Sequence, residues 1–223
     1  MTRGDHSTAL MLAGAILDPV IAVSATDPRA DHTAYDEEMV AVSGAVPKRL
    51  REFSAGRVAA RQAMAELGAP ALAVPMGSDR APIWPDPLIG TITHSDTACL
   101  AAIAWIGEIR MLALDLEEDA PLAYDLLDTV CTAAERQWLN AQPDPDQAAK
   151  VIFSAKECAY KAQYPLSQQL FDFQTLEVEI SSDHSQFVAR FTRSVAPFGQ
   201  GDQISGKIAR GDGLIVTAIA VRA

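Results

Sequence analysis

Between Pro47 and Gly68, apolar residues recur at helical spacing, at Leu50, Phe53, Ala60, Met64 and Leu67. Proline suits the first turn of a helix and glycine the residue beyond its end, so the segment reads as one amphipathic helix. Gly77 to Pro87 is a loop rich in Gly, Pro and Asp, after which Gly90 to Ser95 and Ala98 to Ala104 read as two short strands. Met111 to Glu117 reads as a third. In it the two-residue period puts Leu112, Leu114 and Leu116 on one face and Ala113, Asp115 and Glu117 on the other.

The second part of the chain repeats this order. Thr132 with Glu135 has the spacing of a capping box ahead of a helix carrying Trp138, and Pro143 to Asp146 breaks the chain before a further helix expected to stop at Pro165. Leu176 to Ile180 alternates cleanly, as do Phe187, Ala189 and Phe191, and Leu214 to Val221 has the continuous apolar character of a buried strand. Helix then strands, given twice with a seam near Gly107 to Arg110, predicts an α+β fold in two halves, 1–109 and 110–223.

With 49% apolar residues, the 223-residue chain can bury a proper core. The apolar stretch Ala9 to Leu17 is too short to span a bilayer and ends at Asp18-Pro19. Arg3 ahead of it faintly imitates a secretory signal, but apolar sequence resumes at Val20 to Val23, so a cytoplasmic protein without a membrane segment is expected. Cys99, Cys131 and Cys158 have no paired spacing that suggests zinc or disulfides, and read as small buried hydrophobes. A formal charge of −11 argues against nucleic acid and anionic membranes as partners. Positive charge is nonetheless concentrated: Lys48, Arg49, Arg51, Arg57 and Arg61 stand against Glu52 alone, so the expected helix can offer an anion site.

Two acidic features admit two readings each. Asp115 and Glu117 on one strand face are either a solvated strand end or a pair able to share a hard cation, delivered together by the apolar Met-Leu-Ala-Leu run before them. Glu157 and Lys161, four residues apart on a helix with Lys156 on the next flank, are either a surface salt bridge or a third carboxylate with a phosphate-binding ammonium. His94, after Gly-Thr-Ile-Thr and between the hydroxyls of Thr93 and Ser95, is either structural or a phosphate contact, the latter favoured if Arg57 or Arg80 approaches the same anion.

Five motifs occur in one order: Arg-Glu-Phe-Ser-Ala-Gly-Arg-Val-Ala-Ala-Arg (51–61), Arg-Ala-Pro-Ile-Trp-Pro (80–85), Gly-Thr-Ile-Thr-His-Ser (90–95), Leu-Asp-Leu-Glu (114–117) and Phe-Ser-Ala-Lys-Glu-Cys-Ala-Tyr-Lys-Ala (153–162). In this the chain, from about Leu17 to Phe173, resembles the 4′-phosphopantetheinyl transferases. The subgroup it looks like is the enterobactin-synthase-component (EntD-like) type, related to the larger Sfp class. The resemblance implies a pseudo-dimer of two similar α+β halves with the active site at their interface. It implies Mg²⁺-dependent transfer of the phosphopantetheine arm of coenzyme A to a serine of an apo acyl, peptidyl or aryl carrier protein. Such carriers serve siderophore, nonribosomal-peptide, polyketide or fatty-acid synthesis.

Carried over, the family pattern makes Asp115, Glu117 and Glu157 the metal ligands, and His94 and Lys161 contacts to the coenzyme A phosphates. Arg49 and Arg57 match the basic positions that hold the 3′-phosphate end and neighbouring phosphates, with Thr93, Lys156 and Arg80 as supporting contacts. The first half, with the basic helix and His94, would face carboxylates and Lys161 from the second. Lys161 would stabilise or protonate the leaving phosphate, and Glu157 or a water beside it would take the serine proton. Two departures stand out: Ala113-Leu114 replaces a common Gly-Ile, and Met76 falls where some relatives carry a basic residue. A monomer is expected. The rival readings are another Mg²⁺-dependent phosphate enzyme, such as a pyrophosphohydrolase, and an inactive carrier-protein binding module.

Overall fold

The structure, a computed structural model, describes residues 5–223; Arg3, part of the signal-like reading of the N-terminus, lies outside them. The first half comprises α1 (His6–Ile16), β1 (Ala22–Thr26), α2 (Asp36–Met39), α3 (Pro47–Glu66), β2 (Leu88–His94) and β3 (Cys99–Trp105). Its three strands form an antiparallel sheet in the order β1-β3-β2. Helix α3 begins at Pro47 as expected and covers this sheet, its Ala59, Ala60, Ala63 and Met64 sharing a core with Leu88, Ala101 and Ile103. Small side chains on that stripe let helix and sheet approach closely.

The second half contains β4 (Ile109–Glu118), α4 (Leu127–Val130), α5 (Ala133–Leu139), α6 (Pro145–Ser167), β5 (Leu176–Ile180), β6 (Gln186–Phe191), β7 (Gln203–Gly211) and β8 (Leu214–Arg222). Its five strands are antiparallel in the order β4-β8-β7-β6-β5. Met111 and Ala113 of β4 share a core with Ile152, Ala155 and Ala159 of α6, whereas Leu112, Leu114 and Leu116 share one with Ala9, Leu12 and Ala13 of α1. Helices thus cover both faces of β4, which is why Met111 to Leu114 run apolar without a break.

Helix α6 differs from expectation by passing through Pro165 to Ser167. Pro165 has no N–H to offer the Lys161 carbonyl four residues back, so that one backbone bond is absent, and the helix continues only to Ser167. Strands β1 and β7 were not expected. In β7 the apolar inward positions are diluted by Gly206, over which the Phe187 ring lies so closely that a Cβ would come within 2.3 Å of it. No helix among the described residues is long and apolar enough to cross a membrane.

The two sheets meet where β2 runs beside β4 without a backbone ladder. Thr91 and Thr93, on one face of β2 by the strand period, supply the missing acceptors: Thr91 Oγ1 takes the Leu114 N–H and Thr93 Oγ1 the Leu116 N–H, each at 3.2 Å. The threonines of Gly-Thr-Ile-Thr-His therefore bring Thr93 and His94 alongside Asp115.

Candidate active site

A cleft of about 440 Å³ opens at this seam. Into it face Arg49 and Arg57 from α3, Arg80 from the 76–82 loop, Thr93 and His94 from β2, Asp115 and Glu117 from β4, and Glu157 and Lys161 from α6. Nine of the ten residues singled out from sequence thus line one cavity, with Lys156 the exception. Cations enter chiefly from the first half and carboxylates from the second.

Asp115 is 3% exposed, not solvated, and pairs with Lys161 rather than leaving that lysine to Glu157. Lys161 Nζ donates to Asp115 Oδ1 at 2.6 Å and to Thr93 Oγ1 and Leu114 O at 3.3 Å each. The other Asp115 oxygen accepts from Ser154 Oγ at 2.8 Å. Burial alone would lower the Lys161 pKa, but Asp115 outweighs it and holds the ammonium above its ordinary value, so Lys161 is a fixed cation. Glu117 pairs with Lys150. Burial, reinforced by the charge of Asp115, raises Glu117 above the usual carboxylate range despite that lysine. Burial likewise raises Glu157, with Asp115 and Glu117 adding repulsion against Lys161.

These three carboxylates are oxygen donors of the kind a hard divalent cation takes, and their mutual repulsion is what such a cation relieves. Their placement is nevertheless open: among the described residues no three His, Cys, Asp or Glu side chains are grouped as a ready metal site. Lys161 and Lys150 neutralise two of the three instead.

On the first-half wall, Arg49 Nη1 lies 3.2 Å from His94 Nε2. A guanidinium only donates, so Nε2 accepts and the ring is neutral with its proton on Nδ1. Burial lowers the His94 pKa, in keeping with that state. Arg57 stacks on Phe53 with its guanidinium carbon 4.2 Å from the ring centroid, is 6% exposed, and its Nε has no hydrogen-bond partner. Burial lowers its pKa to about 10. Met76 also lines the cleft and brings no charge to it.

The other basic residues of α3 divide. Arg61 is structural, bonded to the fully buried Glu38 and to Thr33 O; Lys48 is tied to Asp96. Lys156, expected as a phosphate contact, is 1% exposed and its ammonium donates to Val130 O, Glu135 and Phe173 O. All three lie in the second half's interior, because the residue preceding Glu157 falls about 100° away around the helix. Lys150 and Ser154 were missed from sequence. The signal was available: 150, 154, 157 and 161 step by four, three and four, the spacing of one helical stripe. A neighbouring cavity of about 450 Å³ shares Arg80, Pro82, Ile92 and Lys161 with the cleft, and Trp84, Leu112 and Leu170 make it largely apolar.

Residues 37–104 match the family model described as the 4′-phosphopantetheinyl transferase N-terminal domain, and residues 111–207 match that of the 4′-phosphopantetheinyl transferase superfamily. The chain is 39% identical to the 4′-phosphopantetheinyl transferase Svp of Streptomyces mobaraensis over 85% of its own length and 79% of that protein. It is 34% identical to the 4′-phosphopantetheinyl transferase Npt of Nocardia iowensis, over 85% and 90% of the two chains. Enterobactin synthase component D of Salmonella typhimurium is 40% identical but matches only 52% of this chain and 48% of its own. With family models matching both halves and relatives of this identity along most of its length, the chain belongs to the 4′-phosphopantetheinyl transferases and is a transferase of that α+β fold.

Proposed function

We propose that the cleft binds coenzyme A and that the enzyme moves its phosphopantetheine arm, in a Mg²⁺-dependent reaction, to a serine of an apo acyl, peptidyl or aryl carrier protein. The observation that carries this is Arg57, a buried guanidinium with an orphan Nε, facing carboxylates across a cleft. A buried cation without a fixed partner is costly unless a ligand supplies the anion. Arg49, Arg80 and His94 extend the same wall, enough donors for the several phosphates of coenzyme A. The apolar cavity beyond Lys161 suits the pantetheine arm, which would place the pyrophosphate at Lys161. In this reading residues 1–109 hold the donor's phosphates and residues 110–223 carry the chemistry.

Asp115, Glu117 and Glu157 would hold the Mg²⁺, which when bound neutralises charge on the pyrophosphate. Lys161 faces the β-phosphate and donates to the oxygen that leaves as 3′,5′-ADP, a preorganised charge in a partly buried site. The carrier serine attacks from the open side, and its proton passes to Glu157, whose raised pKa suits a general base. Lys156 acts only by anchoring α6 in the second half. Chromatographic detection of 3′,5′-ADP tests this reading. The nucleotide should appear only when coenzyme A, Mg²⁺ and an apo-carrier are all present; release without a carrier would indicate a hydrolase instead.

A further inference from the structure

Past Lys161, helix α6 continues along the wall of the neighbouring apolar cavity. Tyr164, three residues on, donates its hydroxyl to Asp79 Oδ2 at 2.7 Å. Asp79 belongs to the opposite half, so this bond joins the two halves at the apolar cavity that both residues line. Its other oxygen, Oδ1, accepts the Ala81 N–H at 3.0 Å. That closes a turn in which Gly77 N–H bonds Ala81 O at 2.8 Å and Arg80 N–H bonds Gly77 O at 3.0 Å, while Met76 and Pro82 pair at its base.

Two features show how firmly Asp79 shapes this turn. Arg80 sits at its tip with φ of 70°, a region side-chain-bearing residues seldom occupy. Gly77 has no room for a Cβ, which would lie 2.6 Å from Asp79 Oδ1. One carboxylate therefore fixes the backbone that aims Arg80 and ties that backbone to α6. Arg80 and Pro82 border both the cleft and the apolar cavity, so the turn is a strap over their junction.

We propose that Tyr164 and Asp79 are positioning residues: the bond between them pins the Arg80 turn to α6, fixes Arg80 relative to Lys161, and thereby sets affinity for the anionic donor substrate. This rests on the reading of the cleft as the coenzyme A site. Arg80 lies at the rim and would meet the donor alike before and during reaction, so loosening the strap weakens binding without slowing chemistry.

Tyr164→Phe removes the hydroxyl alone and leaves the ring to stack on Tyr160, 6.1 Å away. Its KM for coenzyme A should rise about three- to tenfold with kcat unchanged, the range of one exposed hydrogen bond. Asp79→Ala should raise KM at least as much, and adding Tyr164→Phe to it should change nothing further, because both act through one contact. A readout independent of turnover is tyrosine ionisation followed by absorbance. The hydrogen bond to Asp79 holds the Tyr164 phenol above its ordinary pKa, so one tyrosine should ionise at lower pH in Asp79→Ala. Unchanged KM in Tyr164→Phe, or additive effects in the double variant, would overturn the positioning role in an active enzyme. Absence of transfer by the wild-type protein would instead overturn the coenzyme A reading, and the two failures are thereby told apart.

Discussion

Replacing Lys161 by methionine keeps an apolar stem of similar length and removes the ammonium from Asp115 Oδ1, where it stands at 2.6 Å. Asp115, 3% exposed, is then left with Ser154 and Thr93 as its only side-chain hydrogen-bond donors among the described residues. Breaking a buried pair from one side costs about 3–5 kcal/mol. Because 29% of the Lys161 side chain reaches solvent, water can replace part of the lost partner, and about 2–3 kcal/mol is expected. Urea denaturation measures this, and the double variant Lys161→Met/Asp115→Asn, lacking both charges, should recover most of it. Turnover should fall independently of stability. Loss of one preorganised donor to developing charge costs about 10²–10³ in kcat. Lys161→Arg should be milder, since it keeps the charge but replaces a compact ammonium with a broad fork. The discriminating assay is carrier modification by Lys161→Met at saturating Mg²⁺ and coenzyme A, below the temperature at which the variant unfolds. A kcat within about twofold of wild type, roughly 0.4 kcal/mol of barrier, would refute the catalytic role. A defect confined to Mg²⁺ affinity would reduce Lys161 to orienting Asp115.

Further outcomes follow from the rest of the site. Arg57→Met should raise KM for coenzyme A at least tenfold while leaving urea stability equal or higher by about 1 kcal/mol, because it removes a buried donor without a partner; lost stability with unchanged KM would make Arg57 structural. Lys156→Met leaves the buried Glu135 charge without its cation and should cost about 3–5 kcal/mol, while the protein that remains folded should bind coenzyme A as wild type does; loss of coenzyme A binding in that folded protein would restore Lys156 as a phosphate contact. His94 has its folded pKa held below the ordinary 6.5 by burial, so the neutral ring contributes stability that is present above that value and lost as pH falls through the lowered pKa. Melting temperatures of His94→Gln should therefore decline less than those of wild type on acidification below about pH 6.5; parallel declines would contradict the buried, neutral assignment.

Much of this architecture was legible because its signals are periodic. Pro47 and Gly68 bracket α3, the box of Thr132 and Glu135 opens α5 with both reciprocal bonds in place, and β5 spans the alternating stretch residue for residue. The contents of the cleft were legible through motif order, and in two of the motifs, 90–95 and 114–117, the polar residues stand at the end of an apolar strand. What sequence withheld were relations between side chains distant along the chain. Nothing local distinguishes Lys156, buried against Glu135, from Lys161 five residues on, or Arg61, bonded to Glu38, from Arg57 with its orphan Nε. Asp115 appeared as a strand-end acid, and only the packing of β2 against β4 and α6 shows it to be enclosed. Likewise the stitching of the two sheets by Thr91 and Thr93 has no periodic signature, because side-chain hydroxyls there take the place of a ladder.

The central claim is covalent transfer from coenzyme A to a carrier serine, and intact-mass measurement of the carrier tests it most directly. Apo-carrier incubated with the enzyme, coenzyme A and Mg²⁺ should gain the mass of one phosphopantetheine arm. A carrier whose acceptor serine is replaced by alanine should gain none, and Arg57→Met should slow the gain at low coenzyme A while approaching the wild-type rate at high coenzyme A. A carrier of unchanged mass, with coenzyme A either intact or hydrolysed, would contradict the account.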